Sequence, residues 1–231
     1  MGEKINWADR AEELKKQYPR HFTEGLREHH ANLAELHDAT PQKNQDARNT
    51  LKAASKALAE HPQHAKQFFG LAHATLQKNH NAIAMLTEAR HTLAEHPQHA
   101  PELFKLAHAT LQKNQDAWNT LKAANNALDK HPQHAPELFK LAHATLQKNQ
   151  DAWNTLRTAS DALAEHPQHA PELFKLMHAA IQKNQDAIET LCAASWALRE
   201  HAAEKIFEVA HAALEKGFAV RQVLSNYRKI L

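Results

Sequence analysis

Residues Ala107–Leu121 read AHATLQKNQDAWNTL, and residues Ala142–Leu156 read the same letters 35 residues later. The copy is longer than that segment, since His96–Leu121 matches His131–Leu156 at all 26 positions. Two anchors carry the period along the chain. QKN begins at Gln42, Gln77, Gln112, Gln147 and Gln182, and HPQHA begins at His61, His96, His131 and His166. Self-similarity at a fixed period of a few tens of residues is the signature of a stacked array, in which one supersecondary unit is reused.

Each repeat reads as two helices. The A helix, about Pro101–Lys113, opens on Pro101, whose missing N–H has no partner to lose in a first turn, and on Glu102, which complements the helix dipole. Leu103, Phe104, Leu106, Ala107, Thr110 and Leu111 recur at helical spacing as one apolar stripe. The KNQD segment turns the chain, and its asparagine suits a left-handed cap. The B helix, about Asp116–Lys130, faces its partner through Ala117, Leu121, Ala124 and Leu128. It must stop at His131, because Pro132 cannot continue the ladder and disfavours helix before it. Two short helices cannot bury such stripes alone, so neighbouring repeats must stack.

The pattern predicts an all-α domain spanning residues 1–231 with about 13 helices: a leading helix near Glu3–Tyr18, then six A/B pairs. Residues 1–41 form an N-terminal cap with a first A helix, about Phe22–Ala39, some two turns longer than its successors. Residues 42–201 are the regular 35-residue repeats. Residues 202–231 are a capping pair with a divergent B helix, VRQVLSNYRKIL.

Composition narrows the function classes. Lys+Arg 28 against Asp+Glu 26 leaves a net charge of +2, without the basic excess of a nucleic-acid-binding domain. The single cysteine, Cys192, excludes an intramolecular disulfide and a Cys-rich zinc module. No apolar run approaches the ~20 residues of a membrane span, and the N-terminus lacks a signal-peptide core. The expectation is a soluble monomer that binds neither nucleic acid nor membrane. Twenty histidines are the anomaly. No P-loop, Gly-x-Ser-x-Gly or His-Glu-x-x-His is present.

The paired short helices, Phe104 as an early aromatic, and Ala127-Leu128 followed by Pro132 resemble a tetratricopeptide repeat, one residue longer than that family's usual ~34. The resemblance spans about Gln42–His201. His108 and Thr120 depart from it, standing where the family packs small residues. Copies that agree even at surface positions such as Gln112 and Lys113, between customised ends, resemble computationally designed αα-hairpin tandem repeats. That resemblance implies an artificial protein, stacked as an open solenoid or closed ring.

In a copied array the departures carry the information. The outer face of the third and fourth B helices is mostly polar: Asn119, Lys122, Asn126 and Lys130, then Asn154, Arg157, Thr158 and Asp161. The second repeat rewrites this stripe to Ala84, Thr87 and His91, with Glu88 one turn before His91, and the fifth rewrites it to Glu189, Cys192 and Trp196. On the preceding A helices, Gly70 replaces the repeat's lysine beside Phe68, and Met177 replaces an alanine. Trading long polar side chains for Gly, Ala, Met and Trp predicts a pocket for a small molecule or cofactor. Its sharpest version is a haem-type macrocycle held by His91, with Glu88 orienting the imidazole as an outer carboxylate orients a metal ligand. Phe68, Gly70, Ala84, Thr87, Met177 and Trp196 are then the cofactor-binding residues. Two alternatives stand beside it: a scaffold with no ligand, and a cofactor-free enzyme using Glu88, His91, Glu189 or Cys192 as base or nucleophile.

Overall fold

The structure, a computed structural model, describes residues 5–40, 44–199 and 202–227. Among these the chain is all-α, with thirteen α-helices and no strand. They are α1 Trp7–Gln17, α2 His30–Ala39, α3 Asn44–Glu60, α4 Ala65–Gln77, α5 Ala82–Glu95, α6 Ala100–Gln112, α7 Ala117–Lys130, α8 Ala135–Gln147, α9 Ala152–Glu165, α10 Ala170–Gln182, α11 Ala187–Leu198, α12 Ala203–Glu215 and α13 Val220–Tyr227. The chain divides into two compact units, residues 1–118 and 119–231.

One repeat explains the rest. α8 has its proline in the first turn and buries Leu138, Phe139, Leu141, Ala142, Thr145 and Leu146 on one face. Burying one Leu or Phe side chain contributes roughly 1.5–3 kcal/mol, which makes this stripe the main driving force of the repeat. Thr145 fits an apolar stripe because its hydroxyl donates to the Leu141 carbonyl of the preceding turn, 2.8 Å away. The helix ends at Gln147, and the chain turns away through Asn149, which adopts φ 55. The Gln150 amide closes back on Thr145 O at 3.0 Å, and the Asn149 amide on Leu146 O at 3.1 Å. This double closure satisfies carbonyls that a helix end leaves open. Asp151 then caps α9 by accepting from the Asn154 amide at 3.0 Å.

The HPQH segments are more than loops. Pro167–His169 forms a 3-10 turn between α9 and α10, and Pro62–His64, Pro97–His99 and Pro132–His134 do the same. In the last two segments the first histidine is buried and fastens neighbouring repeats. His131 Nε2 donates to Ser160 O at 2.9 Å, and His166 Nε2 donates to Ser195 O at 2.8 Å. The second packs on a phenylalanine further along the chain, as His134 does on Phe174 and His169 on Phe207.

Within residues 119–231 each A helix packs against its own B helix and the next A helix, while consecutive B helices pack side by side, as α9, α11 and α13 do. Residues 1–118 follow the same rule: α4 contacts α5 and α6, and α3 contacts α5. In that unit Phe68 meets Phe104 edge-on at 5.3 Å.

The N-terminal region departs from expectation. The long first A helix is instead a 3-10 helix, Glu24–His29, followed by the ten-residue α2. Gly25 lies in the 3-10 stretch, and Thr23 provides no side-chain cap. His30 Nε2 instead donates to Thr23 O at 2.9 Å, fixing the segment from the side. The leading helix starts at Trp7, with residues 3 and 4 of the expected span outside the described residues, as are residues 228–231 of the last B helix.

Candidate functional site

Three rewritten positions of the fifth repeat open on one cleft. Glu189, Cys192 and Trp196 line it with Ile188 and Ala193 from the same helix and with Arg221 and Ser225 from α13. Its volume is about 910 Å³.

The sequence builds this wall locally. Asp186 caps α11 by accepting from the Ile188 and Glu189 amides at 2.8 and 3.0 Å. Ala187, Thr190, Leu191, Ala194 and Ala197 bury the opposite face, which leaves positions 189, 192 and 196 outward. Across the cleft, buried Val220 and Leu224 seat α13 and turn Arg221 and Ser225 toward the opening. Gln185 ties the two segments together, its Nε2 donating to Phe218 O at 2.8 Å. An Arg221–Glu189 ion pair at 2.9 Å joins the two helices. Both side chains are more than half exposed, so the pair adds little to stability. What it supplies is a donor group and an acceptor group at the rim.

Cys192 is exposed to the cleft. Desolvation by the wall, with Asp186 and Asp161 adding repulsion, nevertheless pushes its thiol above the ordinary value. The reactive form of a cysteine is the thiolate, so this environment favours a neutral, polarisable lining group over a nucleophile. Glu189, the expected base, is engaged with Arg221.

The remaining sequence-derived residues fall elsewhere. Met177 is fully buried in α10, and Phe68 is buried against Phe104, so both are core packing and not lining. Gly70 is exposed, but a side chain there would meet His108 of α6, whose Cε1 lies 3.7 Å from an ideal Cβ. The room it makes is therefore beside His108, not beside the α5 stripe. Ala84 lies in the capped first turn of α5, its amide donating to Asn81 Oδ1 at 3.0 Å. Thr87 and His91 are exposed, and Glu88 is half-buried.

The Nε2 face of His91 is occupied by a contact from its own helix. Arg90 Nη2 lies 2.8 Å from His91 Nε2, and a guanidinium can only donate, so Nε2 is the acceptor. Arg90 is itself fixed on Glu60 at 2.7 Å. A metal ion on Nε2 would have to displace a cation held in place by its own carboxylate. This geometry does not fit an axial ligand.

Ile188, Ala193, Arg221 and Ser225 were not anticipated. Ile188 carries a signal in hindsight, standing where the two preceding repeats have Trp118 and Trp153. Arg221 and Ser225 lie on the divergent last helix, where no repeat comparison applies. No family model, curated relative or solved structure matches the chain.

Proposed function

We propose that this chain is an artificial helical-repeat protein that holds a small, largely apolar molecule in the α11–α13 cleft. The observation that carries the reading is the convergence of Glu189, Cys192 and Trp196, the altered stripe of the fifth repeat, on one cleft. Its volume, about 910 Å³, lies at the upper end of the range for small-molecule sites. Trp196 supplies a flat apolar wall, Ile188 and Ala193 complete it, and the Glu189–Arg221 pair orients a polar end of the ligand. Artificial origin is supported by identity at residues that burial does not constrain: Gln112 and Lys113 are exposed, as are Gln147 and Lys148. For a haem-type macrocycle the lining residues offer the Cys192 sulfur and no imidazole.

The test is titration with an environment-sensitive naphthalene sulfonate dye, with Cys192 alkylation followed in parallel. Saturable binding, slowed alkylation of Cys192 by bound dye, and binding weakened about tenfold or more in Trp196→Ala are expected. A dye that fails to saturate, or binds Trp196→Ala equally well, overturns the reading.

A further inference from the structure

A second site lies between two B helices that the rewritten stripes do not touch. Lys122, Asn126 and Lys130 of α7 face Trp153, Arg157, Ser160 and Asp161 of α9 across a cavity of about 180 Å³, with Asn119 and Ala123 completing its wall. The lining carries three cationic side chains against one carboxylate. Arg157 lies over the Trp153 ring at 5.9 Å from the centroid and donates to Asn154 Oδ1 at 3.2 Å, which holds its charge at the rim.

Ser160 gives the site its direction. The residue is 4% exposed, and its hydroxyl is buried with no hydrogen-bond partner. An unpaired buried hydroxyl is costly, so its persistence needs a reason. Comparison with the next repeat supplies one. There the equivalent serine, Ser195, donates to Glu165 Oε2 at 3.0 Å, and Arg199 closes on the same carboxylate. Glu60 occupies that register position in the first repeat and holds Arg90. In the third repeat the position is Lys130. The carboxylate has become an ammonium, and the serine hydroxyl has lost its acceptor.

We infer that the α7–α9 cavity is a binding site for a small oxyanion, which takes the place of the missing carboxylate: it accepts from Ser160 and is neutralised by Lys130, Lys122 and Arg157. The geometry favours an organic carboxylate. A carboxylate is what fills this register in the neighbouring repeat, and Trp153 offers an apolar surface for the attached body. The volume, roughly six waters' worth, limits the ligand to a small acid. Asp161 faces the same cavity and repels a second negative charge, which sets a monoanion above a dianion.

Calorimetric titration of the full chain at constant ionic strength tests this, with benzoate in one arm, inorganic phosphate in a second and chloride as reference. Benzoate is expected to bind saturably, and phosphate more weakly. Phosphate binding tighter than benzoate would reject the carboxylate assignment. Ser160→Ala is expected to weaken benzoate binding about tenfold. Lys130→Glu restores the acidic residue of the neighbouring repeats; it is expected to abolish binding and raise the melting temperature in the absence of anion. Lys183→Glu, the same charge change at an exposed lysine outside the cavity, is expected to leave binding intact. Benzoate heats indistinguishable from chloride, or equal binding by wild type, Ser160→Ala and Lys130→Glu, overturn the inference. Since the Trp196 cleft uses none of these residues, its dye titration succeeds or fails independently.

Discussion

At the scale of single residues, the cost of a side chain here depends on whether its polar atoms find partners, more than on its polarity. Thr75, Thr110 and Thr145 are buried in apolar stripes, each with its hydroxyl bonded to the carbonyl one turn back. Thr92 is equally buried and has no partner for its hydroxyl. The other repeats place alanine there: Ala57, Ala127, Ala162 and Ala197. Thr92→Ala is therefore expected to stabilise the protein, by on the order of 1 kcal/mol. A thermal melt checks this, and an unchanged or lowered midpoint would contradict it. Cys192 yields a second residue-level expectation. With its thiol held above the ordinary value, alkylation should be slow at neutral pH and should reach half its maximal rate only above pH ~8.5, the midpoint of a free thiol. A midpoint below that value would show an activated cysteine instead.

Elements in this chain are defined by what ends them. Asn79, Asn114, Asn149 and Asn184 all turn the chain with φ of 55 or 56. A β-branched residue tolerates that region poorly, whereas glycine enters it freely. Asn149→Gly should melt close to wild type, and Asn149→Val should lose on the order of 1–2 kcal/mol. Chemical denaturation separates the two, and equal stability would mean that the turn does not depend on the left-handed residue. Helix identities and ends were legible because Pro, Asn and the apolar stripe act locally and recur at a fixed interval. The candidate sites were legible only in part. Glu189, Cys192 and Trp196 announced themselves by breaking the copy, but Arg221 lies on a helix with nothing to be compared with. The opposite failure explains Phe68 and Met177, where a departure from the copy was repacking of the core. His91 shows a third limit: its neighbour in sequence, Arg90, takes a ring nitrogen that a metal ion would need. Sequence periodicity reports which face a residue is on, and it is silent about competition between partners on that face.

For the molecule as a whole, the histidines set the response to acid. Burial holds His64, His99, His108, His178 and His211 below the ordinary imidazole value of 6.5. The folded state keeps these rings neutral, while the unfolded chain takes up protons first. Unfolding is thus accompanied by proton uptake, and stability rises with pH across this window. It should be complete above about pH 6.5 and fall as the pH drops below that, with the small losses from several repeats adding together. Melting temperatures across pH 4.5–8 test the sign, and a maximum on the acid side would contradict it. Asp38, Glu60 and Glu165, each held below the usual carboxylate range by an arginine hydrogen bond, add a further loss at lower pH. The His131–Ser160 and His166–Ser195 hydrogen bonds also make length an adjustable property. Each of these two rungs joins a histidine to the carbonyl 29 positions later, so along this part of the chain the fastening follows the repeat interval. Excision of residues 131–165 would join Lys130 directly to His166, regenerate an HPQHA junction and leave the His166 rung untouched. A chain fastened this way can be shortened or extended by whole repeats without a new joint being invented.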